Sequence, residues 1–140
     1  MIVIDTNVLA YLWIPGELTP LAEKALARDS AWVTSTLWRS EFRSVLSQYL
    51  RQGRLGMEAA LRCLQGAELQ MRGCEYLVPS ALVMQAISES KCSAYDCEYV
   101  ALAREMDVRL VTTDKQVLRE FPGLAVGLES FARGTPESKA

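Results

Sequence analysis

Histidine is absent from this 140-residue chain, and that absence removes whole reaction classes. Ser-His-Asp and Cys-His hydrolysis, paired-histidine ribonuclease chemistry and His-ligated metal sites all require an imidazole. General acid–base work near neutral pH then falls to carboxylates, cysteines, lysines or a metal-bound water. Cysteine is scarce as well. Cys63, Cys74, Cys92 and Cys97 form no CxxC pair, which argues against a structural zinc site. They read as reduced thiols acting as small hydrophobic core residues. No apolar run approaches the roughly 20 residues that cross a bilayer. The opening stretch MIVIDTNVLAYLWI lacks a basic n-region and carries Asp5, so it does not read as a secretory leader. No membrane segment and a cytoplasmic location are the expectation. Internal repeats, low-complexity stretches and interdomain linkers are lacking too.

What is present is ordinary globular composition, with 50% hydrophobic and 23% charged residues. The length suits one domain able to bury a substantial core. That domain is expected over residues 1–133, with GTPESKA from Gly134, residues 134–140, as a flexible tail. The net charge of −2 argues mildly against nucleic-acid binding, but the distribution is uneven. Between Arg39 and Arg72 lie six arginines (39, 43, 51, 54, 62, 72) against three glutamates (41, 58, 68), a local +3. A solvated face on amphipathic helices accounts for it equally well.

Met1 to Asp5, rich in Val and Ile, reads as a buried strand. Thr19-Pro20 reads as a cap with Pro at the first helical position, opening a helix to about Arg28. Ala31 to Thr34 is a strand candidate, and Ser35 or Thr36 the cap of a helix carrying Trp38, Phe42, Val45, Leu46 and Tyr49 at a 3.6-residue period. Further helices are expected from Met57 to about Arg72, Ser80 to Ser88, Ser93 to Met106 and Lys115 to Arg119. Further strands are expected at Tyr76–Val78, Arg109–Thr113 and Leu124–Leu128. Alternating strands and helices give an α/β domain, a twisted and mainly parallel sheet flanked by helices. Ligands in such sheets sit beyond the carboxyl ends of the strands, near a topological switch point.

Four carboxylates stand out against this frame. Asp5 and Asp114 each end an apolar strand, where a helix cap or Asx-turn is the simpler reading. Asp96 shares its helix face with Tyr99, Val100 and Ala103; a carboxylate on a buried stripe needs a partner or a metal. Its simpler reading is a capping box, Ser93-x-x-Asp96. Glu41 lies at the edge of the apolar face of its helix, between Arg39 and Arg43, where surface charge is the usual reading. Together the four favour a hard cation such as Mg²⁺ or Mn²⁺, which takes oxygen ligands. Without the cation, mutual repulsion raises the carboxylate pKa values. With it, phosphodiester hydrolysis is better served than acyl transfer. Thr6, Asn7 and Thr113 are candidates for orienting the acids, although turn and cap hydrogen bonding suits each of them equally.

Taken in order, Ile2-Val3-Ile4-Asp5-Thr6-Asn7-Val8-Leu9, Ser40-Glu41-Phe42, Ser93-Ala94-Tyr95-Asp96-Cys97-Glu98-Tyr99-Val100-Ala101-Leu102-Ala103 and Leu110-Val111-Thr112-Thr113-Asp114 resemble PIN-domain ribonucleases. The likeness is greatest to VapC-type toxins of toxin–antitoxin pairs, and it spans roughly Met1 to Phe131. The resemblance implies that Asp5, Glu41, Asp96 and Asp114 are the acidic, metal-binding catalytic quartet. It also implies Mg²⁺ or Mn²⁺ dependence, endonucleolytic hydrolysis of RNA, a homodimer, and a small VapB-type antitoxin as partner.

Two other functions compete. One is a phosphotransfer α/β domain with Asp5 as phosphoacceptor. Haloacid-dehalogenase-like phosphatases, however, place a second Asp where this chain has Asn7. A receiver-like scheme with Thr113 and Lys115 leaves Glu41 and Asp96 unexplained. The other is a catalytically silent PIN-like scaffold that binds RNA or protein. Against it, four carboxylates repel a phosphate backbone unless a metal intervenes.

Overall fold

A computed structural model describes residues 1–134. The tail expected from Gly134 onward therefore lies, past Gly134 itself, outside the described residues. Among the described residues five strands, β1 (Ile2–Ile4), β2 (Trp32–Ser35), β3 (Glu75–Tyr76), β4 (Arg109–Thr112) and β5 (Ala125–Gly127), are separated and followed by eight helices. The helices are α1 (Thr6–Trp13), α2 (Thr19–Arg28), α3 (Trp38–Arg51), α4 (Met57–Met71), α5 (Ser80–Ser88), α6 (Ala94–Met106), α7 (Lys115–Glu120) and α8 (Leu128–Arg133).

All strand pairings are parallel, in the order β3-β2-β1-β4-β5. β1 sits in the middle and is buried at every position. This is why its sequence is uniformly apolar rather than alternating. Its side chains still alternate in direction. Ile2 and Ile4 join Trp32, Val111 and Val126 in a core closed by α1, α3 and α4. Val3 joins Val33, Leu110 and Ala125 in a second core closed by α6 and α7. The sheet is thus covered on both faces. The chain leaves β1 toward β2 and returns on the other side to β4, so the switch point lies between β1 and β4.

Several boundaries differ from the sequence reading. The helix α1 begins directly after β1, and its initiator is Asp5, whose side chain accepts from the Val8 N–H. Thr19 does not cap α2 but lies inside it, its hydroxyl donating to the Tyr11 carbonyl at 2.6 Å. Neither Ser35 nor Thr36 caps α3; that position is Leu37, without a side-chain bond. Ser35 instead accepts from the Leu37 N–H and donates to Glu98 Oε2 at 2.6 Å, a long-range partner that local pattern does not reveal. The strand expected at Leu124–Leu128 is cut to Ala125–Gly127, because Leu128 turns into α8 and is buried against the sheet. Cys63, Cys92 and Cys97 are buried free thiols. Among the described residues no helix is long and apolar enough to cross a membrane.

Candidate active site

The β1–β4 register pairs Ile4 with Val111. One step further along both strands are Asp5 and Thr112, and the pleat turns both side chains to the same side. Thr112 Oγ1 donates to Asp5 Oδ2 at 2.6 Å, while Asp5 Oδ1 takes the Val8 N–H at 3.1 Å. The Asp114 N–H in turn bonds to Thr112 Oγ1 at 3.0 Å. Thr112 therefore ties the two strand-end aspartates together. Asp114 caps α7 as its sequence position suggested, with Oδ1 accepting from the Val117 N–H at 2.9 Å.

Asp96 lies in the first turn of α6, which Ser93 caps by accepting the Asp96 N–H. The Ser93 side chain also bonds to the Asp96 carboxylate, but among the described residues the Ser93 N–H does not donate to that carboxylate as a capping box would require. That carboxylate is half-buried and faces the cleft instead. Glu41, in the first turn of α3, is held by two hydroxyls on one oxygen. Tyr99 donates to Oε1 at 2.5 Å and Thr6 at 3.0 Å, and the two hydroxyls are 2.8 Å apart.

Asp5, Glu41 and Asp96 line one cleft of about 210 Å³ with Thr6, Asn7, Ser44, Val45 and Tyr99. Asp114 is beside this cleft rather than on its wall, near enough for its charge to act on Asp96. Of the residues expected to orient the acids, Thr6 bonds to Glu41 and exposed Asn7 lines the cleft. The Thr113 hydroxyl reaches Tyr11 at 3.3 Å and touches no carboxylate; its neighbour Thr112 does that work. Thr112 and Tyr99 are the residues sequence reasoning missed. For Tyr99 a signal existed, since it follows Asp96 by one helical turn on the same face.

The electrostatics match a crowded acidic site. Burial raises the Asp5 carboxyl from 3.8 to about 6, aided by the charges of Asp96 and Glu41 and opposed by the bonds from Thr112 and Val8. Asp96 is raised too, first by burial and then by the charge of Asp114. Burial and the neighbouring Glu41 carboxylate push Tyr99 far up, so it remains a donor at any physiological pH.

Among the described residues no three Asp, Glu or Cys side chains already converge as a cage for an ion. The donor set nonetheless suits a divalent hard cation. It is all oxygen, it carries uncompensated negative charge, and Mg²⁺ keeps most of its waters beside one or two direct carboxylates. A larger groove of about 300 Å³ between α5 and α6 holds no comparable charge excess, because its Arg104 pairs with Glu89 at 2.7 Å.

Comparison with known proteins gives a consistent picture. The sequence model of the family described as PIN domain matches residues 2–124. Ribonuclease VapC3 of Pyrobaculum aerophilum is 27% identical over 128 residues, covering 88% of this chain and 96% of that protein. The crystal structure of PAE2754 from Pyrobaculum aerophilum superposes with a TM-score of 0.75 at 22% identity, covering 95% of this chain and 94% of that one. FitAcB from Neisseria gonorrhoeae gives a TM-score of 0.72 at 18% identity over 91% and 98% of the two chains. FitAB bound to an IR36 DNA fragment gives 0.71 at 18%, covering both chains completely.

Proposed function

The chain belongs to the PIN-domain family, and from that premise we propose that it is a metal-dependent endoribonuclease, the toxin of a VapBC-type pair. The observation that carries the reading is the meeting of Asp5, Glu41 and Asp96, from three separate elements, in one cleft at the switch point of the sheet. Asp114 lies next to them.

In this reading Asp5, Glu41, Asp96 and Asp114 hold Mg²⁺ or Mn²⁺. The cation, when bound, offsets the carboxylate repulsion and stabilises negative charge building on the scissile phosphate. The protein's own contribution is preorganisation. Asp5 is fixed through both oxygens, Asp114 is anchored by its helix cap, and Glu41 is held on Oε1 by two hydroxyls. The acids are therefore oriented before RNA arrives. Exposed Asn7 and Ser44 on the cleft wall offer hydrogen-bonding groups to the sugar–phosphate chain.

The same proposal includes a small VapB-type antitoxin, supported by the likeness to Ribonuclease VapC3 and to FitAB. It includes a homodimer, supported by Met57, Leu61 and Leu69, large apolar side chains exposed on α4. It includes a cytoplasmic location, which the free thiols support.

The test is incubation of the purified protein with structured and unstructured RNAs in Mg²⁺, Mn²⁺ or EDTA, with Asp96→Asn as control. Cation-dependent cleavage that the variant lacks supports the reading. Cleavage in EDTA, or full activity in the variant, sinks it. Cation binding without cleavage of any RNA favours the silent scaffold.

A further inference from the structure

Three oxygens in the wall of the cleft are mutually within hydrogen-bonding distance. Tyr99 Oη lies 2.5 Å from Glu41 Oε1, Thr6 Oγ1 lies 3.0 Å from the same oxygen, and the two hydroxyls are 2.8 Å apart. They come from α6, α1 and α3. Each belongs to an element that also supplies one of the acids or directly follows one. Thr6 succeeds Asp5, and Tyr99 lies one turn after Asp96.

The proton count makes the arrangement directional. A carboxylate oxygen brings no proton of its own, so two hydroxyl protons serve three short contacts. Tyr99, the nearer donor, directs its proton to Glu41. The single Thr6 proton is shared between Glu41 Oε1 and Tyr99 Oη. A hydroxyl that accepts while it donates is polarised and donates more strongly. Both hydroxyls act on the same carboxylate oxygen. Oε2 has no hydrogen-bond partner among the described residues.

Tyr99 is otherwise poorly explained. It is only 2% exposed, and its ring would pack equally well as phenylalanine in the core formed by Val100, Ala103 and Leu110. Its one polar atom meets only site residues. A buried tyrosine needs some partner for its hydroxyl, yet a backbone carbonyl would serve. Here the partners are an acid of the cleft and the threonine beside another.

We propose that Tyr99, backed by Thr6, is a positioning residue that locks the Glu41 carboxylate with Oε1 turned into the protein and Oε2 presented to a divalent cation. This inference rests on the metal-dependent reading above and deepens it. Removing the Tyr99 hydroxyl frees rotation about the Glu41 side chain, so the acid must be ordered when the ion binds. The loss then appears in cation affinity before any RNA is present. Hydrogen-bonding partners that orient metal ligands are typically worth 10–100-fold in affinity.

The experiment is Mn²⁺ titration calorimetry on the RNA-free protein for wild type, Tyr99→Phe, Glu41→Gln, the double variant and Asp96→Asn. Thermal melts accompany each to establish folding. Tyr99→Phe is expected to weaken Mn²⁺ binding about tenfold and to lower kcat with KM for RNA nearly unchanged. In the Glu41→Gln background the same substitution is expected to have no further effect, because its target is gone. Thr6→Val is expected to weaken binding less than Tyr99→Phe, and Thr6→Ser to restore it.

Unchanged Mn²⁺ affinity in a folded Tyr99→Phe, with Asp96→Asn still impaired, overturns the positioning role and leaves the nuclease reading standing. Equal losses in the presence and absence of Glu41 also overturn it, since they mark a general packing effect. Failure of the wild type to bind Mn²⁺ overturns both readings together.

Discussion

The Thr112 hydroxyl donates to Asp5 Oδ2 across 2.6 Å, joining residues that lie 107 positions apart in the chain. The bond follows from strand register, and it sits where two neighbouring parallel strands deliver their terminal residues to the cleft. With the bond from the Val8 N–H, it favours the ionised form of Asp5 and so holds its pKa down against the effect of burial.

Thr112→Val should therefore do two things. It leaves one oxygen of a buried carboxylate unpaired, for a destabilisation of about 1–3 kcal/mol. It also moves the Asp5 pKa of the metal-free protein above its present value of about 6. Thr112→Ser should preserve both properties. Denaturant unfolding of the metal-free protein at pH 5 and pH 8 checks the sign. The loss should be larger at pH 8, where Asp5 is ionised, and equal losses would refute the assignment.

Asp5→Asn should stabilise the metal-free protein at alkaline pH while abolishing cleavage. A carboxyl raised from 3.8 to about 6 favours the folded state fully below pH 3.8, and that contribution is lost as pH rises through 6. The shift of about two units corresponds to roughly 3 kcal/mol. Chemical denaturation in EDTA should show the variant gaining most at pH 8 and nothing near pH 4. A variant no more stable at pH 8 than at pH 4, relative to wild type, contradicts the burial argument.

Asp96→Asn should lower RNA cleavage by at least about 100-fold with little change in melting temperature. Asp96 is half-buried, and its carboxylate carries the repulsion of Asp114 and Glu41. Its backbone N–H, which donates to Ser93 Oγ, is kept in the variant, and the Ser93 side chain that bonds to the carboxylate can bond to the amide oxygen in its place. Circular dichroism and a single-turnover assay suffice. A large drop in stability would mean that the carboxylate is structural.

Gly66→Ala tests the packing of α1 on α4. A Cβ there would overlap the Trp13 ring, and that ring is pinned because Trp13 Nε1 donates to Gln70 at 2.6 Å. Alanine normally favours a helix by about 1 kcal/mol over glycine, so the sign is informative. The overlap should win, for a net destabilisation of about 1–3 kcal/mol, measured by urea unfolding. A stabilised variant would show that Trp13 moves aside freely.

The fold was largely legible because period and burial speak through local sequence. Ile2 to Ile4 is apolar at every position, and the parallel sheet buries it on both faces. The α3 residues Trp38, Phe42 and Leu46 recur at helical spacing and are buried. Elements that depend on their surroundings were less visible. The helix α1 starts immediately after a strand, with no gap to announce it, and α8 is short and rests on its packing with the sheet and α2. The caps of α2 and α3 were misplaced because Thr19 and Ser35 spend their hydroxyls on a distant carbonyl and a distant carboxylate.

By itself the sequence determined the class of fold, the histidine-free oxygen chemistry and the four acids as candidates. These are properties of residue type and of spacing within single elements. The tertiary structure decided which groups share a wall, that Asp114 stands beside the cleft, and that Thr112 rather than Thr113 reaches Asp5. It also brought Tyr99 and Thr6 onto Glu41. Each of these depends on strand register or on the meeting of three helices, and a hydrogen bond is sensitive to tenths of an ångström that local pattern does not encode.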